Sequence, residues 1–201
     1  IDYNKILIKE MHHRVKNNLQ IISSLMSLQE RNIEDEEVAA VLNESKRRVE
    51  AIALIHQTLY QDNKVNRVDF NSYLYEFIKT QKIISSKVTY HLSSIDAELS
   101  LDASVPLGLI LSEIITNSVK HAFKSIENPS IEVELTKNNE HFVLFVEDNG
   151  VGLPEDFDLL NPKSLGMEII VALTEQIDGE IEVVSNQGTT FKISFVDKLT
   201  D

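Results

Sequence analysis

The sequence has no cysteine among its 201 residues, which excludes disulfides, thiol catalysis and cysteine-ligated zinc and fits a reducing cytoplasm. It has no apolar run near the roughly 20 residues needed to cross a bilayer, and no basic-then-apolar opening of the signal-peptide kind. Among six histidines there is no His-x-x-x-His pair with acids suited to zinc, so no structural metal is expected. Positive charge is scarce. The net charge is −13, and nearly all of it falls after residue 66, where 10 Lys and Arg meet 22 Asp and Glu. Such a surface repels nucleic-acid backbones and anionic lipid. A nucleotide bound there has to be held by a metal ion and local backbone dipoles rather than by the bulk field. What remains is a soluble globular chain able to bury one substantial core or two modest ones.

Residues 1–31 contain neither Pro nor Gly, and Leu7, Ile8, Met11, Val15, Leu19, Ile22 and Met26 recur every three or four positions. This spacing predicts a long amphipathic helix. The acidic run at Asn32–Glu37 interrupts it, and Val38, Val41, Leu42, Val49, Ile52, Ile55 and Leu59 resume the same rhythm from a helix start near Asp35. Two such helices form a hairpin whose single apolar seam cannot cover itself, so a dimeric four-helix bundle is expected. The polar stretch 61–67 reads as a linker, placing a domain boundary near residue 66. Beyond it the pattern predicts helices at 71–83, 105–123 (opened by Pro106) and 165–177. Strands are expected near 88–92, 97–101, 131–136, 142–147, 180–185 and 189–195. The fold expected is α+β: a helical hairpin over 1–66, then an α/β sandwich over 67–201 with a mixed sheet and helices on one face.

Four short elements of the second part carry chemistry. On the 105–123 helix, Glu113, Asn117, Lys120 and His121 stand at i, i+4, i+7 and i+8, which puts carboxylate, amide, ammonium and imidazole on one face. After the 142–147 strand, Asp148-Asn149-Gly150-Val151-Gly152 leads an acid directly into two glycines. Gly lets backbone pass close to a ligand, and the acid can accept from an exocyclic amine of the adenine type. Ser164-Leu165-Gly166 opens a helix with free N–H groups, a place where phosphates bind. Gly188-Thr189 enters the last strand.

In order and spacing these elements closely resemble the nucleotide-binding domain shared by sensor histidine kinases, DNA gyrase, the heat-shock chaperone and mismatch-repair ATPases, over about residues 67–197. The resemblance implies ATP and magnesium as ligands. It implies that Asn117 binds Mg, that Glu113 activates or positions the reacting groups, and that Lys120 and His121 contact phosphate or ribose. Asp148 would read adenine, with Gly150, Gly152, Ser164, Leu165, Gly166 and Thr189 building the turns around the nucleotide. Only thirteen residues separate Gly152 from Gly166, so a short lid is expected.

The segment from Glu10 to Gln20, with His12-His13-Arg14-Val15-Lys16-Asn17-Asn18-Leu19 at its centre, resembles the phosphoacceptor box of histidine kinases with an H-R-x-K-N-N-L signature, siblings of the HWE group. The resemblance implies His13 as phosphoacceptor, with His12 the neighbour that competes for the assignment. Arg14 stands where commoner kinases carry an acid, so the general base is left open between Glu10 and Glu113. The partners implied are a second copy of the chain, a response-regulator receiver and an upstream sensor domain, through which the full-length protein could be tethered to a membrane. No nucleic-acid partner is expected. The competing readings are an ATP-binding dimerisation and partner-binding module, and a response-regulator phosphatase without kinase activity.

Overall fold

The computed structural model describes residues 2–58 and 67–198. Two helices, α1 (Asp2–Glu30) and α2 (Glu36–Thr58), lie antiparallel, as the cross-helix hydrogen bonds Ser23–Glu50 (2.9 Å) and Asn43–Glu30 (3.0 Å) show. Asp35 caps α2 by accepting from the N–H groups of Glu37 and Val38, and Glu36 and Glu37 lie in the first turn, where the helix dipole favours acids. Much of the periodic apolar set stays exposed, including Leu7, Met11, Val15, Ile22, Val38 and Val41. The hairpin residues that are buried, Ala51, Ile55 and Thr58, lie on α2. The linker expected at 61–67, apart from Arg67, and Leu59 at the end of the second seam lie outside the described residues.

The second part opens with β1 (Arg67–Asp69), followed by α3 (Phe70–Ile84), β2 (Thr89–Ser94), β3 (Glu98–Ser100) and α4 (Leu101–Asn117). A π-helical turn, Ser118–Ala122, continues α4 and precedes β4 (Ser130–Asn138), β5 (His141–Asp148), α5 (Leu165–Gln176), β6 (Glu180–Ser185) and β7 (Thr189–Val196). The main sheet runs β2-β4-β5-β7-β6; β2 and β4 are parallel and the other neighbours antiparallel. Alternate residues of β4, β5 and β7 (Ile131, Val133, Leu135; Phe142, Leu144, Val146; Phe191, Ile193, Phe195) are buried in one core with α3, α4 and α5. No helix among the described residues is long and apolar enough to cross a membrane.

Three local expectations need correction. The strand β1 was not expected; with only three residues it has no readable alternation, and pairing with β3 in a separate two-stranded sheet makes it a strand. The helix expected to open at Val105 begins at Leu101, because Ser100 accepts from Ala103 N–H and caps it four residues earlier. Pro106 therefore lies inside the helix rather than at its first position. The same helix does not run as α to Phe123: it widens into the π turn after Asn117. Asp197, just past β7, ties these parts together, accepting from Arg67 Nη1 (3.1 Å), Ser100 N (2.9 Å) and Ser100 Oγ (2.5 Å).

Candidate functional site

The register of β5 against β7 sets Asp148 opposite Thr189, so the acid at the end of one strand meets the Gly-Thr entry of the next. Gly188 has φ +126°, and a Cβ there would collide with the carbonyl oxygen of Asp148; a side chain is excluded on both counts. The carboxylate is buried and fully oriented. Its Oδ1 accepts from Gly150 N (2.9 Å) and Thr189 N (3.3 Å), and its Oδ2 accepts from Ser118 Oγ at 2.7 Å. A carboxylate offers about four lone pairs, so one acceptor position on Oδ2 stays open among the described residues, and Asp148 borders the neighbouring space. Gly150 packs so closely that a Cβ would stand 2.6 Å from the carbonyl oxygen of Ala122, the last residue of the π turn. Val151 N donates to that same oxygen at 3.0 Å.

That space is a cavity of about 680 Å³, within the range of small-molecule and cofactor sites. Its walls include Glu113, Thr116, Asn117 and Ser118 from α4 and the π turn, Asp148, Gly152, Ser164, Leu165 and Gly166, and Thr189 and Phe191 from β7. A Cβ on Gly166 would stand 3.0 Å from Glu113 Oε2 and 3.5 Å from Asn117 Nδ2, so the opening of α5 lies directly against the middle of α4. Ser164 caps α5, its hydroxyl accepting from Met167 N (3.4 Å). Residues 153–164 of the connection form no helix, and Phe157, half-buried, turns into the cavity. It is stitched by Asp158, which accepts from Leu160 N and Asn161 Nδ2, and by a Lys163–Asp156 ion pair. Those contacts hold the carboxyls of Asp156 and Asp158 below their ordinary range.

The four polar residues of α4 and its π turn do not share one fate. Asn117 and exposed His121 line the cavity. Lys120 does not; it is paired with Glu44 of α2. Glu113 lines the cavity and is also gripped by Arg48 of α2, Nε to Oε1 at 2.7 Å and Nη2 to Oε2 at 3.0 Å. The lysine contact, first among the causes, holds the Glu44 carboxyl below its usual value, and the Glu113 contact raises Arg48. Below Arg48, Ile55 seats on α4, where a Cβ on Gly108 would clash with its Cδ1 and stand 2.7 Å from Tyr73 Oη. The tyrosine hydroxyl is fully buried and has no hydrogen-bond partner among the described residues; burial pushes it far above its ordinary value.

His13 and Glu10 lie on α1, away from the cavity and exposed. Glu10 accepts from Arg14 Nε at 2.9 Å. His12 Nδ1 stands 3.1 Å from His56 Nδ1, and burial lowers both imidazoles. Sequence reasoning missed Ser118, Glu44 and Arg48. Ser118 follows Asn117 directly, but its direction is set by the π turn, which no periodicity announces. Glu44 and Arg48 stand four positions apart on α2, and nothing local in the sequence points to their partners Lys120 and Glu113.

Residues 10–87 match a family model described as "Histidine kinase", and residues 102–199 one described as "Histidine kinase-, DNA gyrase B-, and HSP90-like ATPase". The chain is 31% identical over 178 residues to the sensor histidine kinase PdtaS of Mycolicibacterium smegmatis, covering 87% of this chain and 36% of that protein. It is 26% identical over 183 residues to the blue-light-activated histidine kinase 2 of Erythrobacter litoralis, covering 88% and 52%. The chain thus spans about a third to a half of these relatives. In fold it superposes on the histidine kinase domain of an Erythrobacter litoralis blue-light activated histidine kinase with a TM-score of 0.72 at 22% identity, over 96% of this chain and 94% of that one.

Proposed function

The chain belongs to the histidine kinases that join a phosphoacceptor-type hairpin to a gyrase- and HSP90-like ATPase domain, and on that premise we propose that it is a sensor kinase core that phosphorylates its own His13 from Mg-ATP. The observation that carries this reading is the cavity between α4, the Asp148 loop and the start of α5, which gathers Glu113, Asn117, Asp148, Gly166 and Thr189 from positions scattered over 77 residues of sequence. We assign residues 1–66 to dimerisation and phosphotransfer and 67–201 to nucleotide binding.

Each group has a physical role. The open acceptor position on Asp148 Oδ2 suits the exocyclic amine of adenine and rejects the carbonyl of guanine. The free N–H groups at the start of α5 suit phosphate. Magnesium fits the residues present: the Asn117 amide lines the cavity with no hydrogen-bond partner among the described residues, and the carboxylate of Glu113 adjoins it, both hard oxygen donors. Held there, magnesium would neutralise phosphate charge. His13 supplies the imidazole nucleophile: the new N–P bond replaces the bond between the γ-phosphorus and the β,γ-bridging oxygen, ADP leaves, and the ring proton passes to a base. Glu10 and Glu113 are the candidate bases, and each is held in an ion pair, with Arg14 and Arg48 respectively.

The phosphoryl group would then pass to an aspartate of a response-regulator receiver. The exposed apolar row of α1 and α2 supports a homodimer formed by a second hairpin. A cytoplasmic location fits these roles. Incubation with Mg and γ-labelled ATP, beside His13→Gln and His12→Gln, tests the assignment. Acid-labile, base-stable label lost only in His13→Gln is expected; label lost only in His12→Gln would move the site by one residue, and an unlabelled parent would refute the kinase reading.

A further inference from the structure

α2 reaches into the nucleotide cavity, and what it brings there is negative charge. Glu44 lines the cavity wall and takes the ammonium of Lys120, while Arg48, one turn further on the same face, takes both oxygens of Glu113. The hairpin therefore pairs two charged groups: Glu113 on the cavity wall, and Lys120 of the π turn, next in sequence to the cavity-lining His121. Arg48 is eight residues from His56, about 12 Å along the helix at 1.5 Å per residue, and His56 is the residue level with His12, the neighbour of His13.

We infer that Glu44 is a built-in competitor of the nucleotide's phosphates for Lys120, so that nucleotide binding and docking of the hairpin on α4 oppose each other. The inference rests on the ATP reading above. A carboxylate on the cavity wall repels a polyphosphate and occupies the cation that would otherwise receive it. A polyphosphate that draws Lys120 away leaves Glu44 facing like charge with only Arg48 of its own helix, at 3.8 Å, to offset it, which favours departure of α2. Because Glu44 and Arg48 share one face of α2, the same departure uncovers the Glu113 carboxylate beside Gly166 and Asn117. The coupling is reciprocal: whatever factor the docked hairpin costs the nucleotide, the nucleotide costs the docking.

Titration of the whole chain with Mg and a β,γ-imido ATP analogue, in the parent and in Glu44→Gln, measures the competition. The variant is expected to bind about threefold to tenfold more tightly at low salt. The gain should shrink when Lys120→Gln is added to both proteins, because only the direct repulsion by Glu44 then remains. In the parent, the analogue should speed hydrogen exchange over residues 44–58. Equal affinity in parent and variant, with binding intact, overturns the competition and leaves the ATP reading standing. A gain undiminished without Lys120, or exchange unchanged by bound analogue, overturns it too. Absence of binding in both proteins overturns the ATP reading and this inference together.

Discussion

Asp148→Asn separates the fold from the recognition of the base. In the parent, three donors are already committed to the carboxylate: the Gly150 and Thr189 N–H groups on Oδ1 and the Ser118 hydroxyl on Oδ2. An asparagine keeping its carbonyl on the Oδ1 side retains the two backbone bonds. Its NH₂ then faces Ser118, whose hydroxyl can rotate from donor to acceptor. The structural cost is about 1 kcal/mol, one net hydrogen bond, or roughly 2–4 °C in melting temperature for a chain of this size. Toward the cavity the change is larger, because hydrogens replace the lone pair that would receive the adenine amine. A hydrogen bond to a charged acceptor contributes about 1.5–3 kcal/mol, so affinity for the Mg imido-ATP analogue should fall roughly tenfold to a hundredfold. Calorimetric titration and thermal unfolding on the same preparations read both quantities. Unchanged affinity would refute the assignment of the base-reading role to Asp148; a loss of fold stability well above 3 kcal/mol would show the carboxylate to be structural.

Two further outcomes follow from the geometry. Gly150→Ala places a methyl against the Cβ and carbonyl of Ala122, neither of which can yield without opening the π turn; overpacking of this kind costs about 1–3 kcal/mol, and the shift of Gly150 N should also weaken nucleotide binding, as melting and titration together would show. The His12–His56 contact makes stability depend on pH. Both imidazoles are held below the ordinary value of 6.5, chiefly by burial, so the unfolded chain takes up protons first. Stability present above about pH 6.5 should be lost as pH falls below it, and His56→Gln should flatten the melting curve between pH 7.5 and 5.5; an unchanged slope would contradict the role of this pair.

Particular residues show what can be read without coordinates. The i, i+3, i+4 rows of α1 and α2 and the alternation of Phe142, Leu144 and Val146 are local patterns, since a helix or strand with one buried face writes its period into the chain. Asp148-Asn149-Gly150 is legible for a similar reason: an acid leaving a buried strand into glycine is locally unusual. The start of α4 was misplaced because Pro106 is a conspicuous signal and Ser100 a quiet one, yet the cap lies at Ser100.

The sequence by itself determined that a long helical hairpin precedes a mixed α/β unit, and its motifs singled out Glu113, Asn117, Asp148, Gly166 and Thr189, which the fold brings to one cavity. Only the tertiary structure decided the partners of those residues. Ser118 turns toward Asp148 because α4 widens into a π turn, Lys120 turns away to Glu44, and Glu113 is covered by Arg48. These pairs join positions 30 to 76 residues apart. Periodicity records which face of an element is buried, but the choice of partner across such separations is made by how whole elements dock, and no local pattern carries it.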